Sequence, residues 1–128
     1  ITAGWLKDSA ATADYVDFLS FHHWEDAGKL RERIASMRGA DKPILLEEFG
    51  YSTMRMSLDD QRRTIAEIIQ ASDAENLLGW LIWAAFDFPL DATCVRPACP
   101  SQDNAEHHFG LWFPDYTPKP AVEMLLAR

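Results

Sequence analysis

Three short clusters hold most of the side chains able to do chemistry: His22, His23 and Trp24; Glu47 and Glu48; and Trp83 with Asp87 just beyond it. Each closes or follows an apolar run, VDFLSF before the histidines, PILL before the glutamates and GWLIW up to Trp83. A carboxylate set among indole rings suits sugar chemistry. Aromatic faces pack on the apolar faces of pyranose rings, and a carboxylate can attack or stabilise an oxocarbenium-like carbon. Plainer roles compete at every position. A strand-end glutamate often binds a backbone or an arginine, histidines often lie on the surface, and tryptophans often fill a core, as is expected here of Trp80 and Trp112. Strand alternation turns one of the two adjacent histidines inward, where it would orient an acid or bind a hydroxyl.

The elements that must position these clusters follow from hydrophobic spacing. Val16–Phe21 is a strand candidate, and Glu25–Arg38 carries Leu30, Ile34 and Met37 at helical intervals before Gly39 ends the helix. Pro43–Phe49 is a second apolar run. Ser57 can N-cap a helix in which Leu58, Ile65, Ile68 and Ile69 share one face. Gly79–Phe86 is uninterrupted by charge, as expected of a strand covered on both sides, and Lys119–Ala127 forms a last helix with Pro118 or Pro120 in its first turn. Strands apolar along their length and separated by helix-sized crossovers indicate parallel βαβ units, hence an α/β fold. No G-x-G-x-x-G turn or P-loop favours an open nucleotide-binding sheet. Reactive residues at strand C-terminal ends favour part of a (β/α)8 barrel, a fold of about 250 residues and about twice this chain. The opening ITAGW reads as the end of a strand with no turn before it, so the chain is expected to be an excised piece.

Composition narrows the function classes. The chain has 128 residues, 48% hydrophobic and 12% aromatic, enough for one core. Twelve basic against twenty acidic side chains give a net charge of −8, which repels phosphate backbones and anionic lipid, so neither nucleic acid nor a membrane is an expected partner. No apolar run approaches the ~20 residues of a membrane span. Cys94 and Cys99 either pair, which points to a secreted or periplasmic setting, or remain surface thiols. With His107 and His108 they invite a metal hypothesis, but the spacing matches no zinc-ribbon or metalloprotease pattern, and no metal is expected. The long stretch from Asp87 to His108 is expected to shape a substrate cleft, with Asp91, Asp103 and Glu106 as solvated charges.

The runs DYVDFLSFHHW, KPILLEEFG, GWLIWAAFDF and FGLWFPDYTPKPAVEML, in this order and spacing, resemble the C-terminal half of cellulase-like glycoside hydrolases, family 5 and its clan A relatives. The resemblance covers nearly the whole chain. It implies that residues 1–128 form a single C-terminal half-barrel with strands five to eight, ITAGW ending strand five. It places the nucleophile of a retaining mechanism on Glu48, with Glu47 as its outward neighbour. The family's His-x-Tyr at the end of strand six falls on His22 and Trp24, so a Trp stands where a Tyr usually bonds the nucleophile. Trp83 takes the part of the sugar platform, and Gly110, Leu111, Lys119 and Pro120 match the family's closing segment.

The same resemblance exposes a gap. Clan members carry their acid/base as the Glu of an Asn-Glu pair, and no Asn-Glu occurs in these 128 residues. Retaining hydrolysis uses two carboxyl groups about 5 to 5.5 Å apart, and losing acid/base help costs roughly 10² to 10⁴-fold in rate. The chain is therefore expected to be nearly inactive alone, although its parent would act on β-linked oligo- or polysaccharide without a cofactor. His22, Trp24 and Trp83 are the expected substrate-binding residues. Two other classes compete: a self-associating half-barrel, as a homodimer or larger assembly that covers its open edges, and a non-catalytic carbohydrate-binding pseudoenzyme using Trp83 and Trp24.

Overall fold

The computed structural model describes residues 1–4, 9–92 and 102–128; Trp5, Cys94 and Cys99, and with them the cysteine pairing, lie outside the described residues. Two compact units divide the chain, residues 1–49 with 67–82, and residues 50–66 with 83–128. Among the described residues no helix is long and apolar enough to cross a membrane.

In the first unit β1 (Leu19–His23), β2 (Ile44–Phe49) and β3 (Trp80–Ile82) form one parallel sheet in that order. Parallel neighbours need a crossover rather than a hairpin, and each crossover carries a helix, α1 (Ala27–Met37) and then α2 (Leu58–Ala74). Leu19, Phe21, Ile44, Leu46 and Phe49 are buried, as are Leu30, Ile34 and Met37 of α1 at the expected spacing. The Arg33 guanidinium lies 5.3 Å from the Phe21 ring centroid and so ties α1 to β1. Asp26 caps α1 by accepting the Lys29 N–H at 2.9 Å, which starts the helix two residues after Glu25. At its other end the chain does not stop at Gly39 but winds through a 3-10 turn, Arg38–Ala40, and Asp41 then takes a left-handed conformation.

The capping expected for α2 is present: Ser57 Oγ accepts the Asp60 N–H at 3.1 Å, and Ile65, Ile68 and Ile69 are fully buried. Its end is a Schellman motif. Asn76 has φ 54°, the Leu77 N–H donates to the Ser72 carbonyl at 3.1 Å and the Asn76 N–H to the Asp73 carbonyl at 3.0 Å, a geometry that suits asparagine among non-glycine residues.

Three expectations need correction. Residues 9–15 form a 3-10 helix and β1 starts only at Leu19, so His22 and His23 lie within the strand rather than after it. Residues 1–4 form no strand, although the Asp17 N–H donates to the Ile1 carbonyl and the Thr2 and Ser20 hydroxyls lie 2.7 Å apart; among the described residues the sheet has three strands, not four. The run Gly79–Phe86 yields a strand of three residues that is not covered on both sides, since Leu81 is 56% exposed. Among the described residues β3 is one of the two outer strands of this sheet, and unlike β1 its apolar character is not matched by burial.

In the second unit Tyr51, Ile65, Leu111, Ala121 and Val122 are buried, and α3 (Pro120–Leu126) begins with its proline in the first turn. At its centre is an ion pair: Lys119 Nζ lies 2.7 Å from Asp87 Oδ1, and the two side chains are 0% and 4% exposed. Lys119 also donates to Thr53 Oγ1 at 3.2 Å and faces the Phe113 ring, while Asp87 accepts the Gly110 N–H at 2.8 Å. Gly110 must be glycine, because a Cβ there would overlap the backbone of Phe86 and Asp87. Breaking a buried pair strands one charge, which costs about 3 to 5 kcal/mol. Lys119→Met is therefore expected to lower unfolding free energy by about that amount in urea titrations; a loss below about 1 kcal/mol would contradict this account.

Candidate active site

The candidate site is built by the register of β1 against β2. Leu19, Ser20 and Phe21 lie opposite Ile44, Leu45 and Leu46, but the next residue, His22, lies opposite Glu48, so Glu47 is an extra residue in β2. Strand alternation alone would turn two adjacent glutamates to opposite faces. A bulge cancels that alternation over one step, and both carboxylates reach the same imidazole. Glu47 Oε2 lies 3.7 Å from His22 Nε2 and Glu48 Oε2 lies 3.5 Å from His22 Nδ1. Glu47 is therefore not the outward neighbour of Glu48.

All three groups are partly open to solvent. The Glu47 carboxylate also accepts from Ser20 Oγ at 3.0 Å, and Ser20 itself is fully buried. A carboxylate at the C-terminal end of a parallel strand, reachable from solvent and flanked by an imidazole, can attack an electrophilic carbon. His22 meets the two carboxylates with opposite ring nitrogens, so the three do not converge on one ion. Among the described residues no group of three or more His, Cys, Asp or Glu could hold a metal.

His23 takes the opposite side of β1 and is buried. Its Nε2–H donates to the Asp26 carbonyl at 2.9 Å. Burial holds its pKa below the ordinary histidine value despite that bond and the nearby Glu25 and Asp26 charges, which act the other way. This neutral imidazole closes the turn between β1 and α1 rather than serving the carboxylates.

The tryptophans separate. Trp24 follows β1 and is 45% exposed. Trp80 is only partly buried and meets Phe49 edge-on, with ring centroids 6.2 Å apart. Trp83 belongs to the second unit, is 37% exposed, and meets Phe88 edge-on at 5.8 Å; the peptide joining it to Ala84 is cis. Trp112 is also only partly buried, beside Phe86. Asp87, grouped with Trp83 by the sequence, is held in the ion pair with Lys119 and has no open face. Of the polar residues farther along, Asp103 is not merely solvated: it accepts from His108 Nε2 at 2.7 Å, which holds its carboxyl below the usual range. His107 Nδ1 accepts the Asn104 N–H, closing a capping turn.

Two cavities among the described residues do not contain Glu48. One, about 760 Å³, is lined by Arg38, Lys42, Ile44 and Asn76 at the N-terminal end of β2, and the other, about 390 Å³, by Phe88, Leu90, His108 and Phe113. Glu48 lies instead near the C-terminal end of β2 and is partly exposed. What sequence reasoning missed is Ser20 and the true side of Glu47; a paired Glu-Glu is the only trace, and it carries no signal of a bulge.

No family model matches the sequence, and none of the curated proteins does. Solved structures do resemble it. An exo-β-1,4-mannosidase from Opitutaceae bacterium strain TAV5 is 21% identical with a TM-score of 0.67, over 88% of this chain and 22% of that one. A β-glucuronidase from Ruminococcus gnavus, in complex with an N1-substituted uronic isofagomine, is 18% identical with a TM-score of 0.76, over 99% of this chain and 25% of that one. The GH5_18 protein of Bifidobacterium longum, in complex with Manβ1-4GlcNAc, is 18% identical with a TM-score of 0.67, over 98% of this chain and 35% of that one. At these identities the likeness is one of fold: an α/β chain with a parallel sheet, matching part of much longer barrel glycosidases. The chain spans a third or less of the first two.

The state of His23 sets a pH dependence. Its folded pKa is depressed, so as pH falls below about 6.5 the unfolded chain takes up a proton that the folded chain refuses, and stability drops until the folded midpoint is passed. Stability should be flat through this group above about pH 7 and decline below 6.5. His23→Gln, whose amide can still donate to the Asp26 carbonyl, should lose that part of the acid-side decline in denaturation curves taken between pH 5 and 7.5, a range of about the histidine titration.

Proposed function

We propose that this chain is the C-terminal half-barrel of a retaining β-glycosidase, with Glu48 as the nucleophile that forms a glycosyl ester. The observation that carries this reading is the place of Glu48: the C-terminal end of a parallel strand, partly open, with the His22 imidazole 3.5 Å from its carboxylate. In barrel enzymes that end of the sheet is where catalytic groups stand. The resemblance to family 5 and its clan supports assigning β1, β2 and β3 to strands six, seven and eight. The similar structures support a β-linked sugar as the substrate class. His22 then holds the nucleophile and Trp24 supplies an apolar face to a sugar ring, while Trp83, in the second unit, is by itself a partly exposed indole of the kind that packs on a sugar. Without an Asn-Glu pair the chain lacks its proton donor, so turnover of natural substrates by the chain alone is nearly abolished.

A 2-deoxy-2-fluoroglycosyl fluoride tests this directly, because fluoride departs without a proton donor and the ester then accumulates. Intact-mass and peptide analysis should find one sugar adduct, on Glu48, and none in Glu48→Gln. The experiment is run on this chain and on the source cell's product if that is longer. Absence of the adduct from both, with gluco and manno donors and intact folding, would refute the nucleophile assignment.

One observation favours a second reading, self-association. Leu78 and Leu81, before and within β3, one of the two outer strands among the described residues, are 60% and 56% exposed, which suits an edge covered by a second copy. Light scattering at micromolar concentration should then give a mass above 14.5 kDa, and a monodisperse monomer removes this reading.

A further inference from the structure

The geometry points to Glu47 as a positioning residue for the reaction at Glu48, acting through the His22 ring; this rests on the reading of Glu48 above. Glu47 has a socket of its own. Ser20, fully buried, donates to Glu47 Oε2 at 3.0 Å, and the Thr2 hydroxyl lies 2.7 Å from that of Ser20. A Cβ on Gly4 would overlap the Glu47 carboxylate, so the glycine there leaves it room. From this socket Glu47 meets His22 Nε2, and the opposite nitrogen of the same rigid ring meets Glu48.

Two adjacent carboxylates on one face repel each other, and an extra residue in the strand is needed to bring them there. A chance arrangement would leave the extra side chain in solvent. Here it is bonded from beneath by a buried hydroxyl and set against the ring that touches the nucleophile. The Glu47 carboxylate lies 3.7 Å from His22 Nε2, a charge contact rather than a hydrogen bond, and because the ring is planar and rigid, its placement at one nitrogen constrains where the other lies. Glu47 thereby sets the distance between His22 and Glu48, while Ser20 sets Glu47. A fixed nucleophile matters because a misplacement of about 1 Å can cost 10²-fold in rate.

Glu47→Gln keeps the size and, through its amide oxygen, the bond from Ser20, but removes the charge facing His22. Two readouts are taken on the folded chain: the rate of ester formation on Glu48 with a 2-deoxy-2-fluoromannosyl fluoride, and the ring 15N and 1H resonances of His22. The expected result is a labelling rate about tenfold lower or less, with its half-saturating concentration little changed, and a moved Nδ1 resonance although Glu47 faces Nε2. Ser20→Ala should shift both in the same direction and carries the test if Glu47→Gln does not fold. Unchanged His22 resonances and an unchanged labelling rate in a folded variant would overturn the proposal. If neither this chain nor a longer source product labels with gluco or manno donors but His22 still responds at Nδ1, the assignment of Glu48 falls and the mechanical link from Glu47 to His22 stands.

Discussion

Backbone pairing between β1 and β2 proceeds in step from Leu19 opposite Ile44 to Phe21 opposite Leu46, then passes over Glu47 and resumes with His22 opposite Glu48. The site depends on that skipped residue. In an unbroken register His22 would lie opposite Glu47, Glu48 would turn to the side of Phe21 and Leu46, where a carboxylate has no water and no partner, and Phe49 would turn out of the core. The skip keeps Phe49 buried, keeps Glu48 on the face of His22, and brings a second carboxylate to the same ring. A local departure from strand geometry thus resolves a conflict between two neighbouring residues, one apolar and one charged.

The two units handle charge in different ways. In the first, His22, Glu47 and Glu48 are all partly open, so water shares the burden of an uneven charge count and the carboxylates stay available to a ligand. In the second, Lys119 and Asp87 are closed off, and a full charge is tolerated there because each has several partners: a carboxylate, a threonine hydroxyl and an aromatic face for the ammonium, a lysine and a backbone N–H for the carboxylate. The first arrangement suits chemistry and the second suits architecture. A sequence contains both as acidic and basic letters of the same kind, which is why Asp87 reads as a site residue beside Trp83 until its burial is seen.

Helices were the most legible part of the chain. The spacing of Leu30, Ile34 and Met37, and of Ile65, Ile68 and Ile69, gives the buried faces of α1 and α2, because helical period depends only on local geometry. Strand extents were less legible. VDFLSF places its strand too early, since Val16 and Phe18 are as apolar as the residues that pair, and only the partner strand decides where pairing begins. GWLIWAAF reads as a covered strand, yet hydrophobicity records what a surface prefers to meet and not whether anything meets it.

By itself the sequence determined the α/β class, the parallel crossovers, and a strand carrying Glu48 near its C-terminal end, because these follow from apolar period and from residue type. Only the tertiary structure decided which way Glu47 points, that Ser20 lies beneath it, that His23 is buried and capped by the Asp26 carbonyl, and that Asp87 belongs to Lys119. Each of those depends on register or on contact between residues distant in the chain. Neither register nor distant contact leaves a period in the sequence, since both are set by the free energy of the assembled pair and not by either segment alone.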